Sequence, residues 1–208
     1  MLKISYGVTT CNEFVEIQRL INFLIENKRQ EDEIIVLFDS NNGIPSVEKF
    51  LRDKSINEEL NWFPYSFDGH FANMKNFLTS KCNGDYIFQI DADELINEDL
   101  FEYLPSILEQ NKEVDVYRVP RINTVKGLTQ EHIQKWGWRV DEKGWVNFPD
   151  YQYRLWKNKP EIRWRNKVHE VLEGHLNFSA LPGEEEWCLY HPKTIEKQEK
   201  QNEYYNTL

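Results

Sequence analysis

Residues 33–39, EIIVLFD, set five large apolar side chains in a row between two acids. A strand built this way has no polar side to offer water, so it belongs inside a parallel sheet that is covered on both faces. YIFQID at 86–91 repeats the pattern. Covering helices are written into the same half of the chain: Phe14, Ile17, Ile21, Leu24 and Ile25 form one stripe at helical spacing, and Phe71, Met74, Phe77 and Leu78 form another. With a first strand over residues 2–8, a short helix in SVEKFLRD and a short strand in NWFPYSF, strand and helix alternate. The expected class is α/β, with a mostly parallel, Rossmann-like central sheet flanked by helices.

Polar breaks punctuate these elements. DSNNG (39–43) is an exit loop, and Asn83-Gly84-Asp85 ends the second helical stripe. EDLFEYLPSILEQ (98–110) is helical except that Pro105 should kink or divide it, and VDVYRVPRI (114–122) is a strand. From 123 to 192 the character changes, with six of the seven tryptophans and few helical stripes. There YQYRLWKN, EIRWRN and KVHEVLEG read as short strands, able to pair antiparallel in a small C-terminal part that covers the open edge of the sheet. IEKQEKQNEYYN (195–206) is a polar terminal helix whose simplest role is a solvated face. A chain of 208 residues suits one domain, divided into a first half (1–122), a second half (123–192) and the terminal helix (193–208).

Thirty-five acids against 25 bases give a net charge of −10, which excludes a general nucleic-acid binder relying on phosphate neutralisation. A nucleotide held through a divalent cation remains compatible with that charge. Three cysteines, Cys11, Cys82 and Cys188, have no paired spacing and indicate neither a disulfide framework nor a zinc site. The start MLKISYGVTT lacks the pattern of a signal peptide, and no segment approaches about 20 continuous apolar residues. The expectation is a soluble, cytoplasmic protein without stable membrane insertion.

YIFQID runs directly into ADE. On an extended strand alternate side chains share a face, so Asp91 and Asp93 should point together while Glu94 faces away. The carboxyl ends of strands are where open α/β sheets bind ligands. Two carboxylates there repel each other unless a cation joins them. Mg²⁺ and Mn²⁺ accept one or two protein carboxylates and complete their shells with water and substrate phosphate. A solvated acidic loop is the alternative, and the buried strand with its preceding helix and turn argues against it.

Five segments, TTCNE (9–13), VLFDSNN (36–42), FANMKNFLTSKCNGDYIFQIDADE (71–94), YQYRLWKN (151–158) and KVHEVLEG (167–174), occur in an order that resembles family-2 type inverting nucleotide-sugar glycosyltransferases with a GT-A fold. The resemblance spans residues 3 to about 192 and is strongest from Phe71 to Glu94. It implies that Thr9, Thr10 and Glu13 contact the nucleotide, although a plain helix cap at Thr10 or Asn12 is also open. Asp39 falls where the family commonly has an acid for the base's imide N–H; an Asx turn with Asn41 and Asn42 is the alternative. Lys75 stands where arginine is more usual, and a lysine lacks the planar donor fork. The resemblance implies Asp93 as the main metal ligand, Asp91 as its partner toward metal or ribose, and His191 as the late histidine that completes the shell or caps the last helix.

Transfer to a hydroxyl also needs a base, which accelerates such a step by about 10²–10⁴-fold. Glu170, after His169, falls where the resemblance places the catalytic acid, and Asp150 is the reserve candidate. Trp136, Trp138 and Trp145, with Arg139, either shape an acceptor groove or pack the core. The expected activity is metal-dependent, inverting transfer of a hexose from a nucleoside diphosphate sugar, UDP-sugar favoured, with Mn²⁺ or Mg²⁺ as cofactor and a glycan or lipid-linked saccharide as acceptor. A nucleotidyltransferase would need a glycine-rich basic loop, and residues 7–19 contain one glycine and one arginine. A non-catalytic nucleotide- or sugar-binding module of the same fold is the other alternative.

Overall fold

The computed structural model describes residues 2–205. Four strands, β1 (Ile4–Thr10), β2 (Glu33–Asp39), β3 (Asn61–Tyr65) and β4 (Tyr86–Asp91), lie parallel in the order β3-β2-β1-β4. Helices α1 (Phe14–Asn27), α2 (Pro45–Ile56) and α3 (Phe71–Thr79) connect them. The apolar run of β2 divides between two cores: Ile34, Val36 and Phe38 pack with α1 and α2, while Ile35 and Leu37 pack with α3 on the opposite face. That two-sided burial is why β2 carries no polar alternation.

The remaining strands extend the same sheet. They are β5 (Leu95–Ile96), β6 (Val116–Lys126), β7 (Val146–Lys157), β10 (Phe178–Ala180) and β11 (Leu189–Thr194). YQYRLWK was expected in a short strand at the sheet's open edge. Instead β7 is 12 residues long and sits inside the sheet, antiparallel to β4 on one side and to β6 on the other. Leu155 and Trp156 of β7 are fully buried, one in each core, so the strand is as two-sided as β2 where it crosses β4. Only β8 (Arg163–Arg165) and β9 (Val171–Glu173) form a separate antiparallel pair.

Helix α4 (Glu98–Gln110) runs through Pro105 without dividing, because Leu100, Phe101, Leu104 and Leu108 bury one continuous face that outweighs the lost backbone bond. Helix α5 (Gln130–Trp136) was not foreseen. Thr129 caps it reciprocally with His132, and Gly137 in the left-handed conformation ends it, signals that stand in the sequence. The terminal helix α6 (Ile195–Tyr205) forms as expected, and residues 206–208 lie outside the described residues. Among the described residues no helix is long and apolar enough to cross a membrane.

Candidate active site

A cleft of about 1060 Å³ opens above the carboxyl ends of β1, β2 and β4. Its wall includes Thr9, Thr10, Glu13, Asp39, Lys75, Asp91, Asp93, Glu170 and His191, so the tertiary fold gathers these sequence candidates around one space. Asp150 lies just behind the rim, on β7 between lining residues Asn147 and Tyr151.

The residues expected at the nucleotide form a loop that is held by its own hydrogen bonds. Glu13 accepts from the amides of Cys11 (2.9 Å) and Asn12 (3.0 Å) and from the Thr10 hydroxyl (3.4 Å). The alternative of a helix cap at Thr10 or Asn12 is not what forms: Glu13 occupies the cap position of α1 and folds its carboxylate back onto the loop. Asp39 accepts from Asn41 N (2.9 Å) and Asn42 Nδ2 (2.8 Å), which is the Asx-type turn, and it still lines the cleft. Burial, then the Glu13 and Asp39 charges, push the Cys11 thiol up to about 12, keeping it a neutral wall group.

The acid turn departs from the pleat argument. β4 stops at Asp91, so Asp93 reaches the cleft through a turn rather than by strand alternation. Glu94 does not face away; its carboxylate accepts from the Asp91 backbone N–H at 3.0 Å and is fully buried. Two arginines that carried no role in the sequence reading hold this turn. Arg154 Nη2 reaches Asp91 Oδ2 at 2.5 Å and Glu94 Oε1 at 2.6 Å, and Arg121 Nη1 reaches Glu94 Oε1 at 3.0 Å. Burial alone would raise the Asp91 carboxyl, but Arg154 and then Lys75 bring it down to about 2. Thr9, opposite Asp91 in the β1–β4 register, adds a hydrogen bond at 3.2 Å. The signal for Arg154 was available: an arginine between Tyr153 and Leu155 in a strand this apolar must find an acid.

Asp93 keeps different company. His191 Nε2 stands 3.5 Å from Asp93 Oδ2. The other ring nitrogen, Nδ1, is 2.7 Å from Asn123 Oδ1, and Asn123 Nδ2 donates to Asp150 at 2.9 Å. The Asp150 bond orients the Asn123 amide, so its oxygen accepts from His191 Nδ1–H, and Nε2 is the ring nitrogen turned toward the Asp93 carboxylate. In the neutral imidazole that nitrogen is a lone-pair donor, so it and the carboxylate form a pair able to ligate one cation. Ligands each about 2.1 Å from one ion and about 90–110° apart stand roughly 3.0–3.4 Å from one another, and the Asp93–His191 separation of 3.5 Å lies just beyond that range, within the reach of a small side-chain adjustment. The pair therefore fits a hard divalent ion that takes its other donors from water and phosphate. Asp91, committed to Arg154, is a weaker candidate ligand than sequence order implied, and among the described residues no group of three His, Cys, Asp or Glu is poised around an ion.

Glu170 lines the same cleft from the segment before β9. Gly174 closes the β8–β9 pair with φ +86°, and a Cβ there would lie 1.9 Å from the Glu161 carbonyl oxygen. Asn76 of α3 pairs both its amide groups with the Trp164 backbone at 2.9 Å, and Phe71 N donates to Lys167 O at 3.0 Å. These bonds tie the Glu170 segment to α3, where Lys75 Nζ meets Glu170 Oε1 at 3.1 Å and lies 4.4 Å from the Trp164 ring centre. Asp150 is more heavily bound. Its Oδ2 accepts from Arg121 twice (2.7 and 3.0 Å) and from Asn123, and its Oδ1 accepts from Gln152 at 2.6 Å. Burial raises that carboxyl, yet Arg121 and these donors hold it below the usual range.

Of the three tryptophans considered for a groove, Trp138 lines the cleft, Trp136 packs against it at 4.6 Å, and Trp145 packs edge-on against Phe148. All three are half-buried, so none is a core residue in the manner of Trp156.

The sequence model of the family described as "Glycosyl transferase family 2" matches residues 5–171. No curated protein matches the sequence. Among solved structures the fold is similar to residues 1–349 of S. aureus TarS, with a TM-score of 0.59 and 13% identity over 92% of this chain and 60% of that one. A longer S. aureus TarS structure gives 0.60 and 14% over 97% of this chain and 38% of that one. TarS 1–349 in complex with UDP-GlcNAc gives 0.57 and 13% over 93% and 59%. At these identities the likeness is one of fold, and the chain spans 38–60% of the length of those structures.

Proposed function

The chain belongs to glycosyl transferase family 2, and from that premise we propose that it moves a hexosyl residue from a nucleoside diphosphate sugar to an acceptor hydroxyl with inversion. The observation that carries this reading is that one cleft is lined both by the Asp93–His191 pair, 3.5 Å apart, and by Glu170. TarS, of similar fold, was solved with UDP and with UDP-GlcNAc, which supports a UDP-sugar as donor here.

In this reading residues 1–122 make the donor half and 123–192 the acceptor and catalytic half. Thr9, Thr10, Glu13 and Asp39 bound the nucleotide end of the cleft, and Lys75 faces the phosphate region. Asp93 and His191 would hold Mn²⁺ or Mg²⁺, with Asp91 beside them; when bound, that ion supplies positive charge to the departing diphosphate. Glu170 takes the proton of the acceptor hydroxyl as its oxygen bonds to the anomeric carbon, while the bond to the diphosphate oxygen breaks and its electron pair leaves with the diphosphate. Glu170 is preferred over Asp150 because its carboxylate has one cationic partner on a flexible stem, whereas four donors already occupy Asp150. Trp138 and Tyr151, which line the cleft, are the aromatic groups available to a glycan or lipid-linked saccharide acceptor.

Thermal unfolding with UDP, GDP, TDP and CMP, each with Mn²⁺, with Mg²⁺ and with chelator, tests the donor site. A nucleotide at a hundredfold its Kd stabilises by about 2.7 kcal/mol. The expected result is a rise with UDP that is larger with Mn²⁺ or Mg²⁺ than in chelator, the metal-dependent part being lost in Asp93→Ala. No rise with any nucleotide overturns the donor-site assignment.

A further inference from the structure

The sequence pattern gives α6 a solvated role, and the fold gives it another. Lys197, Lys200 and Gln201, spaced three and four residues, share a helical face, and that face lines the cleft. Lys193, at the end of β11, lines it too. With Lys75, a chain with a net charge of −10 thus turns four lysines toward one space, which points to an anionic occupant.

Lys197 Nζ lies 3.2 Å from Asp93 Oδ2, the same oxygen that faces His191 Nε2, and 3.6 Å from Glu16 Oε1 on α1. An ammonium and a divalent ion on one carboxylate oxygen would stand within a few ångströms of each other and repel strongly. They are alternatives at that atom. Lysine's charge rides on a flexible four-carbon stem, so it can leave Asp93 without any movement of the helix.

Resting on the donor-site reading above, we propose that Lys197 is the resident cation of the donor site: it holds Asp93 while the cleft is empty, yields that oxygen to a divalent ion, and turns onto the diphosphate. The lysine then has opposite effects on two ligands. It opposes a metal ion that binds alone, and it favours a nucleoside diphosphate, most of all where no metal is present.

The test is titration of Mn²⁺ alone, followed by electron paramagnetic resonance of the free ion, and calorimetric titration of UDP in chelator, on the full chain and on Lys197→Met, Lys197→Arg and Glu16→Gln. Lys197→Met is expected to bind Mn²⁺ about fivefold tighter and UDP in chelator about fivefold more weakly, the scale of one partly exposed ion pair. Lys197→Arg is expected to keep UDP binding, and Glu16→Gln, which loosens only the tie between α6 and α1, to leave both affinities unchanged. A Lys197→Met protein that shifts neither affinity, or only one, overturns the proposal while leaving the donor site standing. A wild-type chain that binds UDP neither with Mn²⁺ nor in chelator overturns the donor-site reading and this one together.

Discussion

The Arg154 guanidinium and the Glu94 carboxylate meet at 2.6 Å with both side chains buried at the end of β4. The same Nη2 reaches Asp91, so one arginine of β7 fixes the turn from which Asp93 enters the cleft. Its removal would leave Glu94 with Arg121 alone and Asp91 without its closest cation. Arg154→Met is expected to lower stability by about 3–5 kcal/mol, the range for breaking a buried pair. Urea unfolding at neutral pH measures it; a loss below about 1 kcal/mol would show that water already relieves these charges.

Asn123 touches no ligand in the proposed mechanism, yet it selects the His191 tautomer through its 2.7 Å contact with Nδ1. Such outer partners typically govern metal affinity by about 10–100-fold. Asn123→Ala is expected to weaken Mn²⁺ binding by about tenfold or more while the fold persists. Equal Mn²⁺ affinity in variant and wild type would remove the histidine from the metal shell.

The two base candidates separate kinetically. Glu170→Gln is expected to reduce kcat by about 10²–10⁴-fold with UDP affinity kept. Asp150→Asn, which loosens the Arg121 and Asn123 contacts, is expected to act mainly on stability and metal binding. If Asp150→Asn abolishes turnover and Glu170→Gln does not, the roles are reversed.

Asp115 anchors the entry to β6, accepting from Lys157 (3.1 Å), Lys159 (2.9 Å) and the backbone N–H of Leu176 (3.0 Å). Burial raises its carboxyl, but these donors hold it well below the ordinary range. A depressed carboxyl stabilises fully above its unfolded value, about 3.9, and loses that contribution as pH falls through the lower folded value. Asp115→Ala is expected to cost about 1–3 kcal/mol at pH 7, and the gap to wild type to narrow steadily below about pH 4. Chemical denaturation from pH 7 to pH 2.5 follows it. A gap that widens on acidification would contradict the sign.

The apolar runs of β2 and β4 and the stripes of α1 and α3 were legible because burial on two faces or on one stripe leaves a mark in residue order. The β6–β7 pairing left a weaker mark. Whether an aromatic strand covers an edge or enters the sheet depends on which neighbour its backbone meets, and β7 meets both β4 and β6.

The sequence by itself determined the alternating α/β half, the acids at the end of a buried strand, and a set of polar residues that the fold gathers around one cleft. Those features are local, set by periodicity and by the solvation cost of a charge beside an apolar run. Tertiary structure alone decided which acid meets which partner. Asp91 goes to Arg154, Asp93 to His191 and Lys197, and Glu170 to Lys75, across separations of 63, 98, 104 and 95 residues. Coulomb attraction acts through space and carries no period along the chain, so these partners became visible only once the sheet had brought them together.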